Sequence, residues 1–523
     1  MDLVSHVSIV RICALLLGAA VPAAGLAAAP ESTDVLQRLE RLEARQARLE
    51  AALLEKDVLI DKLESALAGT EPSQGSAADR WPADNAVLFQ QASLPVVVHE
   101  PSRRVAMLSS PAPATAAARG DGPDHYGEFQ HGGRGIKLAD TPYGDVNFSA
   151  WTYLRYLNQQ ALDKDSTDSF GRTREIDRRN DVQLNKVNLY FKGWVYDPNF
   201  RYLLYTWTAN TSQGDSAQVV VAGSVGYTFN ENITLSGGIG ALPGTRSLRG
   251  TFPYWNKVDT RPLADEFFRP SYTTGVWASG NVTDKMKYKL MVGNNLSQLG
   301  VNAGELDDKL NTYSGAIWWM PTTGEFGPSG GYGDFEYHTD LATQFGLNFT
   351  FSREDRQSQP GTEDIQNTQL RLSDGNILFS PGVFGTEGRV NKASYYMASF
   401  DAGMKYRGFA LETEYYTRWL NDFDTDGFVP EDDLFDHGFQ AQISHMFIPK
   451  TLQGYVAGSY VIGDYGNPWD ASLGVNVYPF KERLLRWNTE VLYLDDSPVG
   501  YSSVPFAVGG DGAVFYTNLE MMF

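Results

Sequence analysis

The sequence predicts an all-β fold: a 16-stranded antiparallel transmembrane β-barrel preceded by an N-terminal α-helical coiled-coil segment. Three observations carry that expectation. Apolar and polar residues alternate with period two in segment after segment, the mark of strands with one apolar face. The connections between these segments alternate between short and long. The chain closes on "AVFYTNLEMMF", with Phe515, Leu519, Met521 and Phe523 on one side of an extended strand, where a soluble domain usually ends in a frayed tail.

The first element is the stretch "MDLVSHVSIVRICALLLGAAVPAAGLAAAP". Arg11 precedes a short apolar run, and small residues follow, so 1–27 reads as a secretory signal peptide. The apolar run is too short for a retained spanning helix. The one cysteine, Cys13, falls inside this segment, so the mature chain relies on no disulfide, which argues against a small secreted scaffold.

Residues 31–68 change texture. A 4–3 template from Val35 lands on Val35, Leu39, Leu42, Gln46, Leu49, Leu53, Lys56, Ile60, Leu63 and Leu67, eight of the ten apolar. This is a heptad seam, a helix of about 50 Å at 1.5 Å per residue. A single amphipathic helix lying on a globular domain is the alternative, but the stripe is narrow and long for that. Coiled coils need partners, so an oligomer is expected. Residues 69–122 are rich in Ala, Pro, Ser and Gly and read as a flexible linker.

The remaining domain, 123–523, holds sixteen candidate strands: 143–158, 181–196, 199–210, 217–229, 232–240, 272–281, 285–294, 310–320, 342–353, 393–404, 406–419, 435–448, 451–463, 468–479, 484–495 and 513–523. Short connections follow the even strands and long ones the odd strands, the pattern of outer-membrane barrels. The piece 321–341 is the exception, a long connection at the short end. In "GFALETEYYTR", Phe409, Leu411 and Tyr415 oppose Glu412, Glu414 and Arg418; in "RWNTEVLY", Trp487, Val491 and Tyr493 oppose Arg486, Asn488 and Glu490. Sixteen strands enclose a cylinder too wide for side chains to fill, so the charged face is expected to line a wet lumen and the apolar face to meet lipid.

Composition agrees. The 523 residues include 51 Gly and 13% aromatics, the formal net charge is −20 and mean hydropathy is −0.31. The acidic balance opposes a nucleic-acid partner, and no apolar run is long enough for a spanning helix.

The segments "VGYTFNENITLSGGIGALPGTRSLRGTFPYWNKVDTRPLADEFFRPSYTTGVWASG", "DVQLNKVNLYFKGWVYDPNFRYLL" and "GDFEYHTDLATQFGLNFTFSRED" resemble the phosphate-selective porin O and P family, over most of 125–523. The resemblance implies a homotrimeric porin in the outer membrane of a Gram-negative bacterium, in contact with outer-membrane lipid and lipopolysaccharide and inserted by the barrel-assembly machinery. It also implies a third long loop folded into the pore to attract small anions such as phosphate, with the coiled coil in the periplasm.

That loop falls at 241–271. It carries Arg246, Arg249, Lys257, Arg261 and Arg269 against Asp259, Asp265 and Glu266, a net +2 in a chain of −20. In a narrow constriction a few fixed charges dominate, and arginine's planar fork suits oxyanions. The same residues have a second reading, in which they pair with acids and staple the loop to the wall. Further lumen candidates are Arg155, Lys186, Lys192 and Arg418. One lysine in 241–271 is few for strict phosphate selectivity, and a general or carbohydrate-permeable porin is the alternative, with Tyr254, Trp255, Phe267 and Phe268 offering a carbohydrate track. A tether between outer membrane and cell wall, built on the coiled coil, is the third reading.

"DFDTDGFVPEDD" places Asp422, Asp424, Asp426 and Asp433 at calcium-loop spacing, but no helices flank it, and an acidic outer loop is the simpler reading; a calcium here would be structural. Catalysis is not expected: GxSxG, HExxH and P-loop patterns are absent. His6, His99, His125, His131, His338, His437 and His445 are scattered.

Overall fold

The computed structural model describes residues 129–130, 135–209, 218–298, 309–357, 369–501 and 504–523. The expected signal peptide, coiled coil and linker lie outside the described residues.

Sixteen strands follow one another around the barrel: β1 (Gly144–Leu162), β2 (Asn180–Val195), β3 (Asp197–Ala209), β4 (Gln218–Asn230), β5 (Ile233–Ala241), β6 (Tyr272–Thr283), β7 (Met286–Gly293), β8 (Thr312–Trp319), β9 (Ala342–Asp355), β10 (Arg389–Tyr406), β11 (Phe409–Asp426), β12 (Leu434–Ile448), β13 (Leu452–Ile462), β14 (Trp469–Val477), β15 (Leu485–Asp495) and β16 (Gly512–Met522). Each pairs antiparallel with the next, and β16 pairs with β1 through Asn518↔Arg155 and Leu519↔Leu154. The backbones of Phe523 and Ala150 exchange hydrogen bonds of 3.0 and 2.8 Å, so the ladder closes up to the last residue. Closure removes every sheet edge, which an open sheet of this size would have to protect. A short strand, Gly135–Thr141, folds back onto the start of β1 through Ile136↔Phe148.

Side-chain orientation follows the sequence alternation. On β11, Ala410, Glu412, Glu414, Tyr416, Arg418 and Leu420 are buried inside, whereas Tyr415 and Trp419 are exposed outside. On β15, Arg486, Asn488 and Glu490 are buried while Trp487, Val491 and Tyr493 are exposed. The apolar band continues through Leu347, Val456 and Leu473, and Phe515, Leu519 and Phe523 extend it on the closing strand. A soluble domain buries its apolar face; here the polar face is inside.

One end has tight turns. Tyr196 at φ 61° joins β2 to β3, and Arg407–Gly408, both at positive φ, joins β10 to β11. The other end carries the long connections. The acidic segment 422–426, placed in a loop by its composition, instead extends β11, with Asp424 opposite Lys392 and Asp426 opposite Arg389 on a lengthened β10.

Two connections enter the barrel. The β5–β6 loop (242–271) turns inward from the long-loop end and carries the short helix α1 (Leu263–Phe268), all six residues buried. The β8–β9 connection, anomalous in length, enters from the tight-turn end. The two meet where the Tyr332 amide donates to the Tyr254 carbonyl at 2.7 Å.

Candidate pore and its lining

The inward loop is polar and broken by Gly and Pro, so it cannot hold its own core and needs the wall to satisfy it. Helix α1 sits against β11–β14. The Ala264 amide donates to Ser459 Oγ at 2.8 Å and the Leu263 amide to Asp470 Oδ1 at 3.2 Å. Phe268 stacks on Tyr416 with ring centroids 5.3 Å apart, and its carbonyl accepts from Tyr395 Oη at 2.6 Å. The polar wall positions supply donors and acceptors to a helix end that would otherwise be unsatisfied.

All five basic residues expected at the constriction are ion-paired. Arg249 reaches Asp401 on β10 at 2.7 Å, and Lys257 reaches Glu490 on β15 at 2.7 Å. Arg261 and Arg269 share Glu266 at 2.8 and 2.7 Å. Arg246 lies 3.6 Å from Glu412, and its backbone amide donates to Glu414 at 3.0 Å. Its Nε and Nη1 find no hydrogen-bond acceptor among the described residues; the rings of Tyr332 and Phe326 lie 4.2 and 5.2 Å from the guanidinium carbon and face it as π-partners. Arg246 and Lys257 are deeply buried and staple the loop. The side chains of Arg249, Arg261 and Arg269 are also largely buried, held in their ion pairs where they border the cleft.

The other basic candidates divide similarly. Arg155 is buried between Asn518 Oδ1 at 2.7 Å and the Val258 carbonyl at 2.8 Å. Arg418 is buried against Asp436 on β12 at 2.6 Å and donates to the Phe267 carbonyl of the loop at 3.4 Å. Both are structural wall-to-loop links. Lys186, 2.8 Å from Asp259, and Lys192 border the lumen.

The loop and the inserted connection pack against the β9–β16 side, and open space lies opposite them. It is a cleft of about 690 Å³ between the loop and the wall formed by β1–β7. Its charged lining is Lys186, Lys192, Lys289, Arg249, Arg261 and Arg269 against Asp259 and Glu266; with Asp401, which pairs with Arg249 from behind, six cations face three carboxylates, net +3. Lys289 has no carboxylate partner among the described residues; its Nζ donates to the Ala241 carbonyl at 2.7 Å.

The wall side is aromatic: Tyr190, Tyr205, Trp207, Tyr272 and Trp277 line it. Sequence reasoning sought the aromatics in the loop, but Phe267 and Phe268 belong to the packed core and only Tyr254 and Trp255 of that set reach the cleft. Tyr190, Tyr205 and Trp207 share the parity of Lys186 and Lys192: Tyr190 is opposite Tyr205, and Asn188 opposite Trp207. Reading lumen parity across β2, β3 and β6 finds Tyr190, Tyr205, Trp207 and Trp277, whereas Tyr272 has the opposite parity and reaches the cleft from the start of β6.

The four calcium-spaced aspartates do not converge. Asp422, Asp424 and Asp426 lie along a strand and Asp433 beyond the turn, all exposed. Among the described residues no group of three or more metal-type side chains forms.

No family model and no curated protein matches this chain. Solved structures that align with it include the outer-membrane channel DcaP of Acinetobacter baumannii, at 10% identity over 74% of this chain and 99% of that one with a TM-score of 0.45. The anion-selective porin from Comamonas acidovorans aligns at 9% identity over 73% of this chain and 100% of that one, TM-score 0.44. Outer-membrane expressed OmpT of Vibrio cholerae aligns at 12% over 74% and 99%, TM-score 0.45.

Proposed function

We propose that the chain is an outer-membrane porin through which small hydrophilic solutes, anions in preference, diffuse passively down their gradient. One observation carries this reading: the cleft holds six cations against three carboxylates, Asp401 behind Arg249 included, in a chain of net charge −20. A low-dielectric wall concentrates the field of these groups in the lumen, where it outweighs distant surface acids. The apolar outer band and polar interior supply the two solvents such a barrel separates.

Within this reading the protein sits in the outer membrane of a Gram-negative cell, surrounded by lipid and lipopolysaccharide, and performs no catalysis. Phosphate is one candidate solute, since arginine and lysine at the cleft suit tetrahedral oxyanions. A homotrimer is the proposed assembly, resting on the heptad seam at 35–67, which requires partner helices.

The test is planar-bilayer recording in KCl gradients, with and without phosphate. The reversal potential is expected to report chloride preference. Neutralising Arg249, Arg261 and Lys289 together is expected to remove it. Cation preference in the intact protein overturns the proposal.

A further inference from the structure

The aromatic half of the cleft is more than anion attraction requires. Hydrated inorganic ions need charge and water and gain nothing from indole or phenol faces. Yet Trp277 lies beside Lys289, whose Nζ is 5.6 Å from the ring centroid, and Trp207 lies beside Lys186 at 5.7 Å. Tyr190 and Tyr205 pair at 5.8 Å between the strands. Lys186 and Lys289 on this wall therefore each have an aromatic face next to them, and all these rings are half-buried and line the cleft.

The backbone is cut to fit. Gly240 lies beneath Trp277, and a Cβ there would meet the indole at 3.0 Å. A side chain at that position would tip the ring off the wall. The volume, about 690 Å³, falls in the range of sites that enclose small organic ligands.

Resting on the porin reading, we propose that this wall is a subsite for organic anions bearing a flat unsaturated ring, the arene carboxylates. The ring stacks on Trp277 or Trp207, and the carboxylate takes the adjacent lysine and, across the cleft, Arg249 or Arg261. Stacking discriminates flat rings from puckered ones because only the former brings a whole face into contact. Neutral sugars also stack, but they leave the net positive lining without a counter-charge.

The experiment uses the full-length protein in planar bilayers, first in KCl alone. Ohmic channels establish that it conducts; their absence overturns the porin reading and this proposal with it. Benzoate, cyclohexanecarboxylate and maltose are then titrated on one side and the half-blocking concentration of the chloride current is read. Benzoate is expected to block at about fivefold lower concentration than cyclohexanecarboxylate, the contribution of one aromatic contact, and maltose weakest. Trp277→Leu is expected to abolish the difference between the two carboxylates, Trp277→Phe to retain it, and Lys289→Gln to weaken both. With KCl conductance intact, equal block by the two carboxylates, or strongest block by maltose, overturns the arene subsite and leaves the porin reading standing.

Discussion

Lys257 Nζ lies 2.7 Å from Glu490 Oε1, with both side chains almost wholly buried, tying the inward loop to β15. Tyr455 Oη donates to the other Glu490 oxygen. Removing the lysine leaves a carboxylate buried without its counter-ion, which typically costs about 3–5 kcal/mol, whereas removing both charges costs far less. Lys257→Gln is expected to lower the thermal midpoint and to raise single-channel conductance and open-channel noise as the loop loosens. Adding Glu490→Gln is expected to recover much of the stability. Recordings and melting curves on the same preparations check this; a single variant with wild-type noise and midpoint contradicts it.

Asp259 gives a prediction of opposite sign. It accepts from Lys186 and from Tyr153 Oη at 2.9 Å, and it is one of two carboxylates on the cleft. Asp259→Asn keeps the hydrogen-bonding shape but removes a negative charge. Anion preference, read as reversal potential in a KCl gradient, is expected to increase. Stability is expected to change by about 1 kcal/mol or less, because Lys186 is partly solvated. A fall in anion preference would place the functional charge elsewhere.

Phe268 anchors α1. It stacks on Tyr416, and a Cβ at Gly438 would meet its ring at 2.8 Å, so the wall is shaped to receive it. Phe268→Ala is expected to cost about 3–5 kcal/mol, the range for a large aromatic removed from a tight core. Enhanced proteolysis within 242–271 in detergent is the accompanying readout.

The strands were readable in the sequence because period-two alternation is local. Glu412, Glu414 and Arg418 declared their face within a single decapeptide, and closure against β1 followed from the alternate apolar residues up to Phe523. The staples were not readable. Lys257 meets Glu490 across 233 residues and Arg249 meets Asp401 across 152; charge composition lists donors and acceptors but not which wall position lies opposite. The inserted β8–β9 connection did signal itself, as the one long link at the tight-turn end. Aspartates 422–426 fit a calcium loop and a strand equally well on local spacing, because both share a period of two.

That inserted connection carries a pH dependence outside the spanning strands. Asp334 accepts from the His338 ring, from the His338 amide at 3.1 Å and from the Gly408 amide at 2.7 Å, while His338 Nε2 lies 2.9 Å from Glu325. The pair fastens the connection to the β10–β11 turn, where the Arg407 amide donates to the His338 carbonyl at 2.7 Å. The hydrogen bond to Asp334 holds the imidazolium above its ordinary pKa of 6.5, despite opposing burial. Burial pushes the Asp334 carboxyl upward, but its hydrogen bonds prevail and hold it below the ordinary 3.8. The raised histidine means that the folded protein keeps this proton when the unfolded chain has lost it, so stability falls as pH rises through that interval. For the depressed aspartate the sign reverses, and its contribution is lost as pH falls below 3.8. The stabilisation is therefore greatest between those limits. The difference in thermal midpoint between wild type and His338→Gln is expected to be largest from about pH 4 to 6.5 and to shrink on the alkaline side. A difference that grows with pH above 6.5 would show that the imidazolium plays no part in fastening this segment.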